Sequence, residues 1–237
     1  MTGLSSRLES VPDAARLPAR HDVREALFEL GEARVPVVVK RSRRRLAQRL
    51  GKTLGERAAE TARYLLAHGI DTPEPLGVEV TPGESVLVVR KIEGAVQVRD
   101  FFLRHDDPSR EEPAVKATFE EVVSALGRVA RRLHDAGVFY RDLTDGNVLV
   151  TEGEGGPRLW LVDLDRARVR SGPLGTLDRL RDLSRPGLND PAARRLLLGA
   201  YYAPGPVPPL APPLLDAMRG RILLWDRLKR ALRPWKR

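Results

Sequence analysis

The chain has 237 residues, 42% of them hydrophobic, with 41 Lys and Arg against 32 Asp and Glu and no cysteine. That length can bury a full core as one domain or as two small lobes, and the composition excludes disulfides and thiol chemistry. With four His and no Cys a structural zinc site is not expected. The net charge of +9 favours anionic partners: nucleotides, phosphorylated glycans, acidic lipid headgroups or nucleic acid. The first stretch holds no apolar core of signal-peptide length. No run approaches the roughly 18 apolar residues of a membrane span, so a cytoplasmic location is expected.

In chain order, residues 1–22 read as a loose leader. Val23 to Leu30 alternates as a strand, Gly31-Glu32 suits a turn, and Arg34 to Lys40 is a strand of β-branched residues ending in a lysine. A fixed cation there suits nucleotide phosphates, which bring several negative charges into a partly dry cleft; an ordinary edge-strand lysine is the plainer reading. Gly31 is the only glycine of this hairpin. A phosphate-covering loop with three spaced glycines is therefore absent, and the cover is either a short hairpin or a loop that depends less on glycine. The run Arg41, Arg43, Arg44, Arg45, Arg49 and Lys52 suits a solvated helix face, with contact to an anionic substrate or membrane surface as the other reading. Glu56 to His68 is predicted helical, with Gly69 as its stop. In it, Glu56 and Glu60 lie one turn apart on one face.

Thr72-Pro73-Glu74-Pro75 is a rigid link into two strands, Leu76–Val80 and Ser85–Ile92, joined at Thr81–Glu84. Lys91-Ile92-Glu93-Gly94 then stands where a hinge backbone would pair with an adenine ring. This outlines a β-rich N-lobe over residues 23–93. Val98–Leu103 reads as a short helix and Ala114–Asp135 as a long amphipathic one, with Phe119, Val122, Val123, Leu126, Val129, Ala130 and Leu133 at helical spacing. His134 at its end is read as held by hydrogen bonds in preference to a catalytic role. Helices over Leu174–Leu183 and Pro191–Tyr202 complete a C-lobe over residues 94–203. Residues 204–213 hold six prolines and read as non-helical. From Leu214 onward apolar residues recur at Leu215, Met218, Ile222, Trp225, Leu228, Leu232 and Trp235, with eight basic residues between Arg219 and Arg237. That is a basic amphipathic helix, either a contact for a membrane surface or acidic partner or a helix packed on the core.

The densest chemistry lies in Tyr140–Val150. Asp142 stands five residues before Asn147, between a helix ending at Gly137 and a short strand, Val148–Thr151. Downstream, the apolar strand Leu161-Val162 ends in a second acid, Asp163. This is the spacing of the catalytic and metal loops of the protein-kinase fold, in which the first acid orients the accepting hydroxyl and the amide and second acid hold magnesium. Two polar turns around a hairpin would leave the rest of the chain unexplained. The expected fold class is therefore α+β: a two-lobed protein-kinase-like fold with a reduced β-rich N-lobe and a short, mainly helical C-lobe. Only 95 residues follow Asp142, and no Ala-Pro-Glu stretch follows Asp163. The machinery for docking a polypeptide is thus reduced, and a small or glycan acceptor fits better.

From about Val35 to Tyr202 the sequence resembles the lipopolysaccharide core kinases, which phosphorylate heptose or Kdo sugars. The marks are Val39-Lys40, the link Gly69-Ile70-Asp71-Thr72-Pro73-Glu74-Pro75-Leu76, Tyr140-Arg141-Asp142-Leu143 with Asn147, Leu161-Val162-Asp163-Leu164-Asp165-Arg166, and residues 195–201. RIO-type kinases and aminoglycoside phosphotransferases share the general loop and match Asp142, Asn147 and Asp163 equally; the link and the Asp-Leu-Asp-Arg ending favour the core kinases. The resemblance implies ATP and Mg²⁺ as cofactors and Asp142 as the catalytic acid facing a sugar hydroxyl. Asn147 and Asp163 would hold Mg²⁺, and Lys40 the α- and β-phosphates, with Glu60 as its anchor and Glu93 at the hinge. Tyr140 replaces the usual His, and Leu164-Asp165 replaces Phe-Gly, so the two-position switch of regulated kinases is expected to be absent. An anionic glycolipid or sugar is the expected acceptor, with peripheral contact at the cytoplasmic face of the inner membrane and no nucleic-acid partner. An atypical protein kinase and a non-catalytic kinase-fold binding module are the rival readings, the intact acid–amide–acid set arguing against the latter.

Overall fold

The computed structural model describes residues 8–10, 22–43 and 51–232. Arg44, Arg45, Arg49 and Trp235 lie outside them. The chain divides into two compact units, one formed by the described residues up to Ala95 with Trp160–Ala167, the other by Val96–Leu159 with the residues from Arg168 onward. The short segment that carries Asp163 therefore groups with the first unit, not with its sequence neighbours.

The first unit is an antiparallel sheet of β1 (Leu8–Ser10), β2 (Asp22–Leu30), β3 (Ala33–Arg43), β4 (Pro75–Val80) and β5 (Glu84–Arg90), in the order β1-β2-β3-β5-β4. Part of the expected leader is thus an edge strand; Leu-Glu-Ser is too short for alternation to reveal it. β2 and β3 meet in a two-residue turn, Leu30 facing Ala33, with Gly31 at φ 64°, where a side chain would be strained. The β2–β3 connection is thus a short hairpin. Alternation in β3 puts Val37 and Val39 into a core with Ala26, Phe28, Val86 and Val88. Lys40 faces the other way, opposite Leu87 of β5.

That other face is covered by α1 (Leu54–Ala67), which starts in a capping box: Thr53 accepts from the Glu56 N–H and the Glu56 side chain accepts from the Thr53 N–H. Its inward residues, Gly55, Ala58, Ala59, Thr61, Ala62 and Leu65, are small apart from Leu65, and Gly55 lies against Ser85 and Leu87.

In the second unit β6 (Val96–Gln97) leads into α2 (Val98–Asp106), and α3 (Phe119–Asp135) follows a loop. α3 begins five residues later than its apolar pattern predicts, because Thr118 and Glu121 form a second capping box there. β7 (Val138–Phe139), β8 (Val148–Thr151), β9 (Arg158–Leu161) and β10 (Arg168–Val169) form small sheets, β6-β8-β9 and β10-β7. α4 (Thr176–Leu183), α5 (Pro191–Tyr202) and α6 (Ala211–Leu232) complete the unit. α5 starts with Asp190 as cap and Pro191 at its first position. α3 packs on α5 so closely that a Cβ at Gly127 would fall 2.6 Å from the Leu197 carbonyl oxygen. α6 starts within the proline run: Pro212 and Pro213 occupy its first turn, where a missing N–H costs no helical bond.

α6 combines the two readings of the basic tail. Its first half packs on α4 and α5, with Ala211 and Leu215 buried, Arg194 paired to Asp216 at 2.6 Å and Arg219 donating to Asn189 Oδ1 at 3.1 Å. Its second half leaves Leu224, Trp225, Leu228 and Leu232 exposed.

Candidate active site

In the first unit, chemistry gathers around Lys40. Its Nζ donates to Asp163 Oδ1 at 2.5 Å and to Asp165 Oδ2 at 2.7 Å, across more than 120 residues of sequence. Burial works against the ammonium, yet Asp165 and Asp163 outweigh it and hold the Lys40 pKa above the ordinary lysine value. The acids reach the lysine because their segment is bolted to this unit. The Leu161 N–H donates to the Asp71 carbonyl at 3.0 Å and the Thr72 hydroxyl to the Leu161 carbonyl at 2.7 Å. The Asp71-Thr72 link is therefore the clamp on the strand that ends at Asp163. Asp163 itself adopts φ 59° and ψ 54°, a left-handed conformation that a non-glycine residue holds only when its surroundings enforce it.

In the second unit, the loop Tyr140–Asn147 is held by an acid that the sequence did not single out. Asp182 of α4, fully buried, accepts the backbone N–H of Tyr140 at 2.7 Å and of Arg141 at 2.8 Å. Those bonds fix the turn in which Arg141 takes φ 70°, immediately before Asp142. Tyr140, the residue that replaces the usual His, is buried and its hydroxyl donates to the Asn147 carbonyl at 3.2 Å, bracing the loop end to end. The Asn147 side-chain amide donates to the Asp142 carbonyl at 2.9 Å.

Beneath the loop lies a buried polar cluster. Arg179 donates to the Tyr201 hydroxyl at 2.8 Å, which leaves the hydroxyl proton for His134 Nδ1 at 3.0 Å. His134 Nε2 is buried, lies 3.5 Å from Asp182 Oδ2 and makes no hydrogen bond among the described residues. His134 is fully buried and held by hydrogen bonding, as its helix-end position implied. Burial pushes the Tyr201 pKa up to about 12, the Arg179 hydrogen bond offsetting only part of it.

One expected contact is not made. Glu60 lies on the exposed face of α1 and pairs with Lys52 at 2.7 Å, while the carboxylates on Lys40 are those of Asp163 and Asp165. Glu56, the alternative, is engaged in the helix cap. Helical phase explains this: the positions of α1 that face the sheet carry alanine. Glu93 is exposed, in the turn after β5 beside Gly94 at φ 64°. The acid that braces the Tyr140–Asn147 loop had one sequence signal, a carboxylate between Leu180 and Leu183, both buried on the inner face of α4.

Each unit by itself carries an oxygen donor of a kind that suits magnesium. In the first, the Asp163 carboxylate is 42% exposed and already attracts a cation; in the second, the Asn147 amide spends its nitrogen on the Asp142 carbonyl and keeps its oxygen for an acceptor role. Among the described residues no three His, Cys, Asp or Glu side chains form a group that could hold a metal ion.

The model of the lipopolysaccharide kinase (Kdo/WaaP) family matches residues 36–186. A 3-deoxy-D-manno-octulosonic acid kinase of Haemophilus influenzae (strain PittEE) is 26% identical over 123 residues, covering 49% of this chain and 46% of that protein. One of Photobacterium profundum is 26% identical over 140 residues, covering 57% and 53%. The matches thus span about half the length of these curated relatives. A solved structure, WaaP in complex with acyl carrier protein, superposes with a TM-score of 0.56 at 18% identity, covering 98% of this chain and 89% of that one. The architecture is the protein-kinase-like one expected from the sequence.

Proposed function

The chain belongs to the lipopolysaccharide kinase (Kdo/WaaP) family, and from that premise we propose that it transfers the γ-phosphoryl group of MgATP to a sugar hydroxyl of a lipopolysaccharide-core-type glycolipid. The observation that carries this reading is the meeting of Lys40 with Asp163 on one sheet face. It joins two members of the expected nucleotide set that are far apart in sequence. The curated relatives, named for 3-deoxy-D-manno-octulosonic acid, make that sugar the acceptor to test first.

Each residue has a definite task. Asp142, presented by the Asp182-held loop, accepts the hydrogen bond of the attacking hydroxyl and orients it in line. Lys40 binds the α- and β-phosphates. Asn147 and Asp163 would hold Mg²⁺, which supplies charge neutralisation on the phosphates. The hinge after β5, with Glu93, offers backbone to the adenine. Catalysis then rests mainly on positioning and charge.

No helix among the described residues is long and apolar enough to cross a membrane. The exposed Leu224, Trp225, Leu228 and Leu232 of α6, interleaved with Arg221 and Arg227, instead suit an anionic leaflet on which the glycolipid acceptor is anchored. Co-sedimentation with phosphatidylglycerol vesicles, but not with phosphatidylcholine, is expected and should be lost on Trp225→Ser with Leu228→Ser. The function itself is tested by incubation with γ-labelled ATP and a membrane glycolipid extract, followed by mild acid hydrolysis. Label released with the acidic sugar supports it. Label in the protein fraction favours the atypical protein kinase instead.

A further inference from the structure

We infer that Asp165 is the residue that positions Lys40 for the nucleotide, in place of a glutamate from the helix packed on the sheet. The assignment rests on the kinase reading of Lys40 and Asp163 and adds a role that neither motif spacing nor the loop pattern supplies.

Three observations carry it. First, no α1 carboxylate is available: Glu60 pairs with Lys52, Glu56 caps the helix, and the inward face offers Ala58, Ala59 and Ala62. Second, the two acids on Lys40 differ in setting. The Asp163 side chain is 42% exposed, that of Asp165 only 9%, and that of Lys40 15%. A carboxylate committed to a magnesium ion cannot serve the lysine equally well, so a switch of Asp163 to metal leaves Asp165 as the partner of the ammonium. Third, Asp165 is placed rigidly within the same compact unit. It lies in the 3₁₀ turn Leu164–Arg166, which packs against α1 with Leu164 buried and is closed by the Ala167 N–H on the Leu164 carbonyl at 3.1 Å. The acid that steadies the phosphate-binding lysine has thus moved from the helix to the metal loop, two residues beyond Asp163.

A double-mutant cycle on the full chain tests this, read as ATP affinity by calorimetry with and without Mg²⁺. Asp165→Asn should weaken ATP binding roughly tenfold in both conditions, the size of losing one charge-assisted hydrogen bond. In a Lys40→Met background the same change should cause almost no further loss. Asp165→Glu, which keeps the carboxylate, should recover most of the affinity, and this variant carries the test if Asp165→Asn lowers the melting temperature. Asp163→Asn should weaken binding only when Mg²⁺ is present. Equal affinity of Asp165→Asn and the unsubstituted chain, or losses that add fully in the cycle, would overturn the assignment. A loss confined to the Mg²⁺ condition would make Asp165 a metal ligand instead. If the unsubstituted chain fails to bind ATP at all, it is the kinase reading that fails.

Discussion

The two halves of the expected machinery are built in different ways. Around Lys40 the contacts are ion pairs between side chains, at least one of them substantially exposed. Under Asp142 the contacts run from a buried carboxylate to backbone N–H groups, supported by a tyrosine hydroxyl on a carbonyl. Of the first kind, the exposed Lys40–Asp163 pair can be exchanged for phosphate oxygens and a metal ion without unfolding anything. The second kind cannot be given up without leaving the buried Tyr140 N–H unpaired. A nucleotide site needs replaceable partners, whereas a catalytic acid needs a fixed backbone, and the contacts at Lys40 and at Asp142 differ in the way the proposed roles require.

The largest effect should come from breaking the rigid half. Asp182→Ala strands the buried Tyr140 N–H and the part-buried Arg141 N–H, and should cost about 3 kcal/mol of stability by denaturant titration, with turnover falling even under conditions where the protein remains folded. Lys40→Met is the contrasting case. It takes the Lys40 cation away from Asp165, whose side chain is only 9% exposed, and should cost about 1–3 kcal/mol, while reducing ATP affinity by roughly tenfold or more. If Asp182→Ala left turnover intact, or Lys40→Met left ATP affinity unchanged, the distinction between fixed and replaceable contacts would be lost.

A smaller effect probes the cluster beneath the loop through pH. Tyr201 has a folded-state pKa of about 12 against an ordinary value of 10.0, because burial disfavours the phenolate. The folded chain therefore holds this proton more tightly than the unfolded one. Its contribution to stability is complete below pH 10 and is lost as pH rises through 12. Tyr201→Phe should lower stability at neutral pH by about 1 kcal/mol and flatten the alkaline decline, measured as melting temperature against pH.

Much of this was legible in sequence, and the reasons are local. Lys40 ends a run of β-branched residues, Asp142 and Asn147 keep a fixed spacing in one loop, and α5 begins at a proline behind an aspartate. Each signal needs only neighbours in the chain. What escaped depends on three-dimensional phase. Glu60 has the right sequence distance from Lys40 but sits on the outer face of α1, and Asp165 reaches the lysine only because the Asp71-Thr72 clamp brings its segment back to the sheet. Asp182 braces a loop 41 residues before it. The proline run misled in the other direction, since Pro212 and Pro213 fall where a helix tolerates them.

Everything proposed for the catalytic loop requires that Asp142 serve the acceptor hydroxyl separately from nucleotide binding. The direct test is the steady-state rate of Asp142→Ala on the glycolipid acceptor at saturating MgATP, with nucleotide occupancy checked by calorimetry. ATP affinity should stay within about threefold of the unsubstituted chain, while the rate falls by roughly a thousandfold or more. A rate retained at full nucleotide occupancy would contradict that role.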